Sequence, residues 1–177
     1  MEGAPAARDF ESVYRSEAAP VWSYLRRLGI PGRNLEDLVH DVFVVAYRQL
    51  PQFDTSRPLR PWLFGIAFRV ASDHRRRAQN QREVLKDEIH VAADGPGGEA
   101  ALMRRQRQHL VLTALDSLTL THRAVFVLHE IEGYSIPEIA RMLDLPPNTL
   151  YSRLRRAREQ FVGAVRRLAG PKNGGEE

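Results

Sequence analysis

The stretch SIPEIARMLDLPPNTLYSRLRRAREQF, residues 135–161, has the pattern of two short helices joined by a tight turn. Ser135 and Glu138 have the spacing of a capping box, in which a hydroxyl and a carboxylate satisfy backbone donors at a helix start. A first helix is therefore predicted over Ile136–Leu143. Two prolines then force a turn, and the second of them, Pro147, suits the first position of a new helix because its φ is already helical.

The second predicted helix combines an apolar face with a basic face. Its apolar residues recur at helical steps and are Leu150, Leu154, Ala157, Phe161 and Val165. A recognition helix needs short side chains that enter the major groove and arginines that bind guanine edges or phosphates. The sequence therefore predicts a helix-turn-helix that reads double-stranded DNA, with the candidate contacts Asn148, Thr149, Tyr151, Ser152, Arg153, Arg155, Arg156 and Arg158.

A solvated surface is the alternative interpretation of this basic face, because a run of arginines on a helix is usually exposed to water. The order of capping box, diproline turn and basic amphipathic helix favours DNA binding over that alternative. One feature departs from the usual pattern: Pro146 lacks the side-chain oxygen that commonly caps a helix start.

The composition of the 177 residues is that of a folded globular protein, with 43% hydrophobic and 27% charged residues. Lysine and arginine outnumber aspartate and glutamate by 26 to 22, and the sequence pI of about 9.8 suits a polyanionic partner. The absence of cysteine excludes disulfides and cysteine-ligated zinc. No cofactor and no metal are predicted.

No apolar run approaches the roughly 18 residues that a membrane span requires. Residues 1–8 also lack the apolar segment of a signal peptide. The expectation is a cytoplasmic protein without membrane insertion.

Apolar residues in the N-terminal half recur at three- and four-residue steps, which is the helical period. Gly29 suits the end of a first helix, and Asn34 suits the N-cap of a second. A segment rich in aspartate, serine and proline then predicts a loop. The predicted elements are a helix from Phe10 to Leu28, a helix from Asn34 to Leu50, a loop from Phe53 to Pro61 and a helix from Trp62 to Arg77.

Apolar residues thin out after this third helix, and the run from Asp94 to Gly98 breaks any helix. A second set of apolar residues at the helical period follows, with Gly133 as its stop. The prediction is an all-α protein with two small helical domains joined by a flexible linker. The first domain covers residues 10–77, the linker 78–104 and the second domain 105–169.

Both halves resemble the extracytoplasmic-function sigma factors of the sigma-70 family. In the C-terminal half, GYSIPEIARML at 133–143 and NTLYSRLRRAR at 148–158 resemble region four, with its E-I-A and its T-V-x-S-R-x-x-R-A-R run. In the N-terminal half, DLVHDVF at 37–43 and WLFGIA at 62–67 resemble the D-L-x-Q-E-x-F and W-L-x-x-I-A of region two. These matches lie within residues 10–168, on both sides of the linker and in the family's order.

The resemblance implies a transcription initiation subunit that binds core RNA polymerase and directs it to specific promoter DNA. In that family, region four binds the minus 35 element, whereas region two binds the minus 10 element and promotes strand opening. The resemblance implies no catalytic site, so the chain is not expected to be an enzyme. Many family members are silenced by an anti-sigma factor, which is a further expected partner.

The resemblance also implies functional residues in region two. The helix from Asp37 to Ala46 is implied to bind the polymerase clamp, with Asp37, His40 and Asp41 as its polar candidates. Minus 10 recognition is implied in the segment that follows, where a flipped base needs aromatic or arginine faces to compensate for lost stacking. The candidates there are Phe53, Arg57, Leu59, Arg60, Trp62, Arg69, Asp73 and Arg76.

Two positions depart from the family's pattern. Arg69 stands where the family commonly has asparagine, which changes charge and reach at the minus 10 site. Tyr151 stands where the family often has lysine or arginine, and its ring can pack on a thymine methyl.

Trp62 has a second interpretation as a core residue, since a tryptophan on an apolar helix face is usually buried. Plain solvation is likewise the alternative for the three polar candidates on the second helix.

Two other functions compete with this interpretation. The adjacent His40 and Asp41 suggest a metal-dependent phosphohydrolase, but the remaining histidines lack metal-ligand spacing. A stand-alone helix-turn-helix transcriptional regulator would instead bind an operator directly, usually as a symmetric dimer. The N-terminal match argues against that regulator, and the addition of core polymerase distinguishes the two.

Overall fold

The structure, a computed structural model, describes residues 6–82 and 99–170. Within these ranges the regular elements are helices, with no strand. The chain separates into two compact units, residues 1–91 and 92–177, which are described separately. The predicted all-α fold with two helical domains is confirmed. No helix in the described ranges is both long and apolar enough to cross a bilayer.

Three long helices form the first unit: α1 (Ala6–Arg27), α2 (Gly32–Gln49) and α3 (Leu59–Arg82). Each of them packs against the other two. A short 3₁₀ turn, Leu50–Gln52, follows α2 and leads into the loop before α3. The helical period of the apolar residues produces this core, because residues three and four apart share one face of a helix. Its buried side chains include Val21, Leu25, Leu35, Leu38, Val42, Phe43, Leu63, Ile66 and Ala67.

Gly29 closes the turn between α1 and α2 and adopts a φ of +85°. The backbone N–H of Ile30 donates to the carbonyl of Leu25, as in a Schellman motif. Arg75 of α3 donates a further hydrogen bond of 3.0 Å to the carbonyl of Leu28. Gly29 therefore ends the first helix as predicted, and α3 holds that helix end in place.

Three helix starts in the first unit precede the predicted ones, and the first is that of α1, which begins at Ala6 and not at Phe10. α2 begins at Gly32 with Pro31 as its N-cap, and Asn34, the predicted cap, lies inside the first turn. Pro31 has φ −59° and ψ 145°, the extended geometry of an N-cap, so the helix starts before the asparagine. α3 begins at Leu59, inside the predicted loop, because Pro61 is tolerated in a first turn whose N–H groups have no helical partner.

The second unit is built around α7 (Pro147–Leu168), which packs against α4 (Glu99–Leu115), α5 (Leu120–Phe126) and α6 (Ile136–Leu143). A π-helical turn, Val127–Ile131, continues α5. The buried side chains of this unit include Leu115, Leu118, Val125, Leu128, Ile139, Met142, Leu150, Leu154 and Ala157. One side of α7 is therefore fixed in the core of the unit.

Both ends of the predicted linker, residues 78–104, are helical. α3 continues through Arg82, and α4 already begins at Glu99. The charged residues at these ends suit an exposed helix as well as a linker, so composition alone did not separate the two. Residues 83–98, which contain the predicted helix-breaking glycines, lie outside the described residues.

Arg123 of α5 is buried, with only 2% of its surface exposed, and the sequence analysis did not identify it. Its Nη1 donates to Oδ1 of Asp116 at 2.6 Å. This charge-assisted hydrogen bond offsets part of the cost of burying a guanidinium. A signal was available, because Arg123 lies three residues after Leu120 and four before Val127, on the apolar side of the helix.

Candidate nucleic-acid interface

The helix pair predicted within residues 135–161 is present, and α6 begins with the predicted capping box. The hydroxyl of Ser135 donates to Oε2 of Glu138 at 2.6 Å, and its backbone N–H donates to the same oxygen at 2.8 Å. These two bonds, chiefly the one from the hydroxyl, hold the pKa of Glu138 below its ordinary value because they stabilise the carboxylate. α6 therefore spans Ile136–Leu143, as predicted.

The turn between α6 and α7 depends on two backbone constraints. Asp144 adopts the left-handed conformation, with φ 53° and ψ 52°. The backbone N–H of Leu145 then donates to the carbonyl of Ala140 at 3.1 Å, which closes the end of α6. Pro146 is extended, with φ −61° and ψ 138°, and Pro147 begins α7 as predicted. The short turn thus sets where α7 starts.

α7 presents an exposed face opposite its core. Asn148, Ser152 and Arg155 follow one another at four- and three-residue steps, and all three are exposed. Tyr151 beside them is 58% exposed, and Arg156 is exposed one turn after Ser152. Neither arginine has an ion-pair partner among the residues that the structure describes. We call these five residues the reading face.

The other three predicted contacts of α7 lie at the flanks of the reading face. Thr149 and Arg153 are half-buried. The carbonyl of Thr149 also accepts a hydrogen bond of 2.9 Å from the hydroxyl of Ser152. Arg158 is bound within the protein, since its Nε donates to Oε1 of Glu130 at 2.7 Å. The structure therefore brings five of the eight candidates onto one exposed face, and a DNA contact remains a prediction for all eight.

Glu130, which holds Arg158, was not among the predicted site residues. It lies in the π-helical turn Val127–Ile131, at the end of α5. Its partner is 28 residues further along the chain, so no helical spacing connects the two. Only the packing of α5 against α7 brings them together.

Four of the residues predicted for minus 10 recognition lie along one side of α3. Trp62, Arg69, Asp73 and Arg76 follow one another at steps of seven, four and three residues, which keeps them on one face of a helix. Trp62 is half-buried and the other three are exposed. Asp73 and Arg76 form an ion pair of 3.1 Å, whereas Arg69 has no such partner among the described residues.

The loop before α3 is held by a side-chain turn and a ring contact. Oδ1 of Asp54 accepts hydrogen bonds from the hydroxyl of Ser56 at 2.6 Å and from its backbone N–H at 3.0 Å. These bonds, followed by the nearby charge of Arg57, hold the pKa of Asp54 below its ordinary value. The ring centroids of Phe53 and Trp62 lie 4.6 Å apart with the ring planes tilted by 38°, so the two side chains pack together. Trp62 is thus partly a packing residue.

The two candidates at the start of α3 differ in their surroundings. Leu59 is half-buried. Arg60 donates from Nε and Nη2 to the two carboxylate oxygens of Glu17 on α1, at 2.7 and 3.1 Å. The side chain of Glu17 is only 12% exposed, and the sequence analysis did not identify it. Helix packing, which places α1 beside α3, is what joins these residues.

The three residues predicted to bind polymerase, Asp37, His40 and Asp41, are all exposed on α2, opposite its core face. Asp41 also lies near His74 of α3, whose pKa is lowered mainly by burial and then by two neighbouring arginines, with Asp41 opposing that shift. The competing metal site has no support here. No group of three or more histidine, cysteine or acidic residues is placed to hold an ion in residues 6–82 and 99–170.

Two family models match the chain, one on each unit. The model described as Sigma-70 region 2 matches residues 13–81. The model described as Sigma-70, region 4, matches residues 108–161, which include α5, α6 and most of α7. The matched ranges contain the four minus 10 candidates on one side of α3 and the five residues of the reading face.

Three proteins of similar sequence are named as RNA polymerase sigma factors. RNA polymerase sigma factor CnrH of Cupriavidus metallidurans is 38% identical over 144 residues, covering 77% of this chain and 75% of the relative. RNA polymerase sigma factor NccH of Alcaligenes xylosoxydans xylosoxydans is 31% identical over 144 residues, covering 79% and 77%. The ECF RNA polymerase sigma-E factor of Escherichia coli is 30% identical over 149 residues, covering 78% of each chain.

Two solved structures resemble this one. The structure of CnrH in complex with the cytosolic domain of CnrY has a TM-score of 0.62 and 29% identity, covering 88% of this chain and 86% of that one. The sigma factor RpoE in complex with the anti-sigma factor NepR from Bartonella quintana has a TM-score of 0.71 and 21% identity, covering 90% and 98%. At 21% identity, the match to the RpoE structure shows a shared fold and no more.

Proposed function

The chain belongs to the extracytoplasmic-function sigma factors of the sigma-70 family, and on this premise we propose what each of its two units does in transcription initiation. As a sigma factor it directs core RNA polymerase to specific promoters and promotes strand opening. It acts in the cytoplasm as a specificity factor, and RNA synthesis itself is catalysed by the polymerase. One observation carries the proposal: α7 exposes the reading face, and a capped α6 and a proline turn precede it in the chain.

The second unit binds the minus 35 element through the reading face. The major groove is wide enough for an α-helix, and its base edges carry distinct donor and acceptor patterns. Arg155 and Arg156 suit bidentate bonds to guanine, and Tyr151 suits contact with a thymine methyl. Asn148 and Ser152 lie in the first two turns of α7, near the helix start, where recognition helices commonly contact bases. Thr149 and Arg153 at the flanks suit phosphates, which fix the position of the helix on DNA.

The first unit binds and opens the minus 10 element along α3 and its preceding loop. Asp54 and the Phe53–Trp62 ring contact hold the loop before DNA arrives, which lowers the entropy cost of binding. Arg57 and Arg69 supply exposed guanidinium groups on which an unstacked base can stack. Arg76 is 73% exposed and pairs with Asp73 in the free chain, so it reaches a phosphate only by leaving that carboxylate. Arg60 secures the start of α3 through Glu17.

The exposed side of α2 binds core polymerase. Asp37, His40 and Asp41 present polar groups on a helix whose other side is fixed in the core. We also propose an anti-sigma factor as a partner, since the solved structure of CnrH, 29% identical to this chain over the structural match, is of a complex with the cytosolic domain of a second protein, CnrY. Exchanging both aspartates for arginine should abolish holoenzyme assembly without unfolding the first unit. Glu11→Arg on α1, also exposed, is the matched control.

Transcription in vitro tests the proposed function. Core polymerase with the purified chain should initiate at a defined set of sites on fragmented genomic DNA, and mapping the starts should give one shared upstream motif and one shared minus 10 motif. Core polymerase without the chain is the control. The proposal fails if the chain confers no promoter-specific initiation and instead protects a palindromic operator alone, as a stand-alone regulator does.

A further inference from the structure

Arg158 of α7 and Glu130 of the π-helical turn form a two-point ion pair. Nε of Arg158 donates to Oε1 of Glu130 at 2.7 Å, and Nη2 lies 2.6 Å from the same oxygen. The glutamate side chain is 34% exposed and the arginine 53%. The pair therefore lies at the protein surface, on the flank of the reading face, where an unneutralised arginine would be within the field of a DNA backbone.

The segment that carries Glu130 is itself held by backbone hydrogen bonds. The N–H of Glu132 donates to the carbonyl of Val127 at 3.0 Å, the five-residue spacing of a π-helix. The N–H of Tyr134 donates to the carbonyl of Leu128 at 2.9 Å, and Nδ1 of His129 lies 2.8 Å from the carbonyl of Tyr134. Glu130 is thus presented from an ordered turn, and π-helical turns are frequent at functional sites.

The arginines of α7 therefore differ in their electrostatic state. Arg155 and Arg156 on the reading face have no ion-pair partner among the described residues, whereas the charge of Arg158 is matched by a carboxylate. Each arginine that neutralises a phosphate releases counterions and adds affinity that does not depend on sequence. Pairing one arginine inside the protein removes one such contribution.

We propose that Glu130 is a positioning residue that withdraws Arg158 from the DNA backbone, so that α7 binds DNA through its reading face. The inference rests on the proposed function, because it concerns how the same unit binds duplex DNA. On this inference Arg158, one of the predicted minus 35 contacts, does not bind DNA. Glu130 also ties α7 to the end of α5.

The salt dependence of DNA binding tests this role. Holoenzyme made with each variant is titrated onto a promoter duplex from the start-site mapping and onto a shuffled duplex of the same length. Glu130→Gln keeps the size of the side chain and releases the arginine, so the plot of log affinity against log salt should become steeper by about 0.9 on both duplexes. Arg158→Gln alone leaves the carboxylate unpaired, so its slope should not become steeper. Arg153→Gln, at a flank that the proposed function assigns to phosphate, is the matched control and should make the slope shallower by about 0.9.

The double variant Glu130→Gln, Arg158→Gln separates two causes of a steeper slope. Its slope should return to that of the wild type, because the released arginine is gone. A slope that stays steep would mean that the carboxylate simply repels DNA, and this would overturn the proposal. A slope of the double variant shallower than that of the wild type would also overturn it, since Arg158 would then already contact phosphate.

The same experiment distinguishes a failure of this inference from a failure of the proposed function. The shuffled duplex reports the charge effect even if no promoter is recognised, whereas loss of initiation by the wild-type holoenzyme contradicts the proposed function alone. Circular dichroism of each variant establishes that it is folded. If Glu130→Gln does not fold, the double variant still decides the question, because it lacks both charges and its slope equals that of the wild type only if Arg158 does not contact DNA.

Discussion

Glu17 in α1 and Arg60 in the first turn of α3 are 43 residues apart in sequence and joined by two hydrogen bonds of 2.7 and 3.1 Å. The carboxylate side chain is nearly buried, whereas the arginine is 47% exposed. Because Arg60 directly follows the loop that contains Phe53 and Arg57, the pair fastens the end of that loop to α1. Glu17 is therefore expected to affect minus 10 function from outside the predicted site.

Replacing Glu17 by glutamine should lower the unfolding free energy of the first unit by about 1 kcal/mol, because half of the ion pair is in solvent. Trp22 and Trp62, the two tryptophans of the chain, belong to this unit, so tryptophan fluorescence in urea reports its unfolding. Glu11→Gln removes an exposed pair with Arg15 and should cost only about 0.3 kcal/mol. Equal losses for the two variants would contradict the structural role of Glu17.

The same Glu17→Gln variant should slow promoter opening. The loop loses its attachment to α1, so ordering it on DNA costs more conformational entropy. Permanganate reactivity of unpaired thymines should rise more slowly on a duplex promoter. On a promoter with a preformed minus 10 bubble, where no base pairs need to open, binding should approach that of the wild type. A defect of the same size on both templates would indicate that the variant impairs polymerase binding instead.

Asp144→Gly should stabilise the helix-turn-helix by about 0.5 kcal/mol, since the left-handed φ strains a residue with a Cβ and costs glycine little. Slower hydrogen exchange in α6 and the start of α7 would report the gain. The opposite substitution, Gly133→Ala, places a Cβ at φ +78° where no atom lies within 4 Å. The substitution should therefore lower stability by about 1 kcal/mol through backbone conformation alone. An Asp144→Gly chain that exchanges faster than the wild type would refute this account.

Ser135→Ala should remove about 1 kcal/mol of stability from the second unit, because it deletes the side-chain half of the capping box. It should also change the pH dependence. The pKa of Glu138 is lowered in the folded state, so its stabilising contribution is complete above the ordinary glutamate pKa and is lost as the pH falls through the lowered one.

Thermal unfolding by circular dichroism from neutral to acid pH measures this effect. The wild type should lose stability faster than Ser135→Ala on acidification, and Glu138→Gln should lack the same component. If Ser135→Ala keeps the full acid dependence of the wild type, the hydrogen bonds from Ser135 are not its cause.

Arg156→Ala should weaken promoter binding by about 1–3 kcal/mol and relax the preference at one position of the minus 35 element, as loss of a base-edge contact does. Binding of holoenzyme to a panel of single-base variants of the mapped promoter measures both effects. Arg15→Ala removes the same charge from an exposed site in the first unit and should change neither. A uniform loss over all sequences would instead assign Arg156 to a phosphate.

Much of the fold followed from sequence patterns that act within one or two helical turns. The capping box of Ser135 and Glu138, the proline start of α7 and the glycine end of α1 are local, because each depends on backbone groups a few residues away. The spacing of apolar residues likewise distinguishes the core side of α7 from its reading face, because residues three and four apart share one side of a helix. Competing local signals misplaced the start of α2, where Pro31 precedes Asn34.

Tertiary structure alone decided which charged residues are available to DNA. Arg155 and Arg158 are both arginines on the non-core side of α7, and no local rule distinguishes them, yet Arg158 meets Glu130 from another helix. Arg60 meets Glu17 in the same way. Such pairs form because the packing of apolar faces fixes the rotation and offset of whole helices, and that geometry depends on the sum of many distant contacts. The sequence by itself determined where the DNA-reading helix begins and which side it buries, and helix packing determined which of its charges remain exposed.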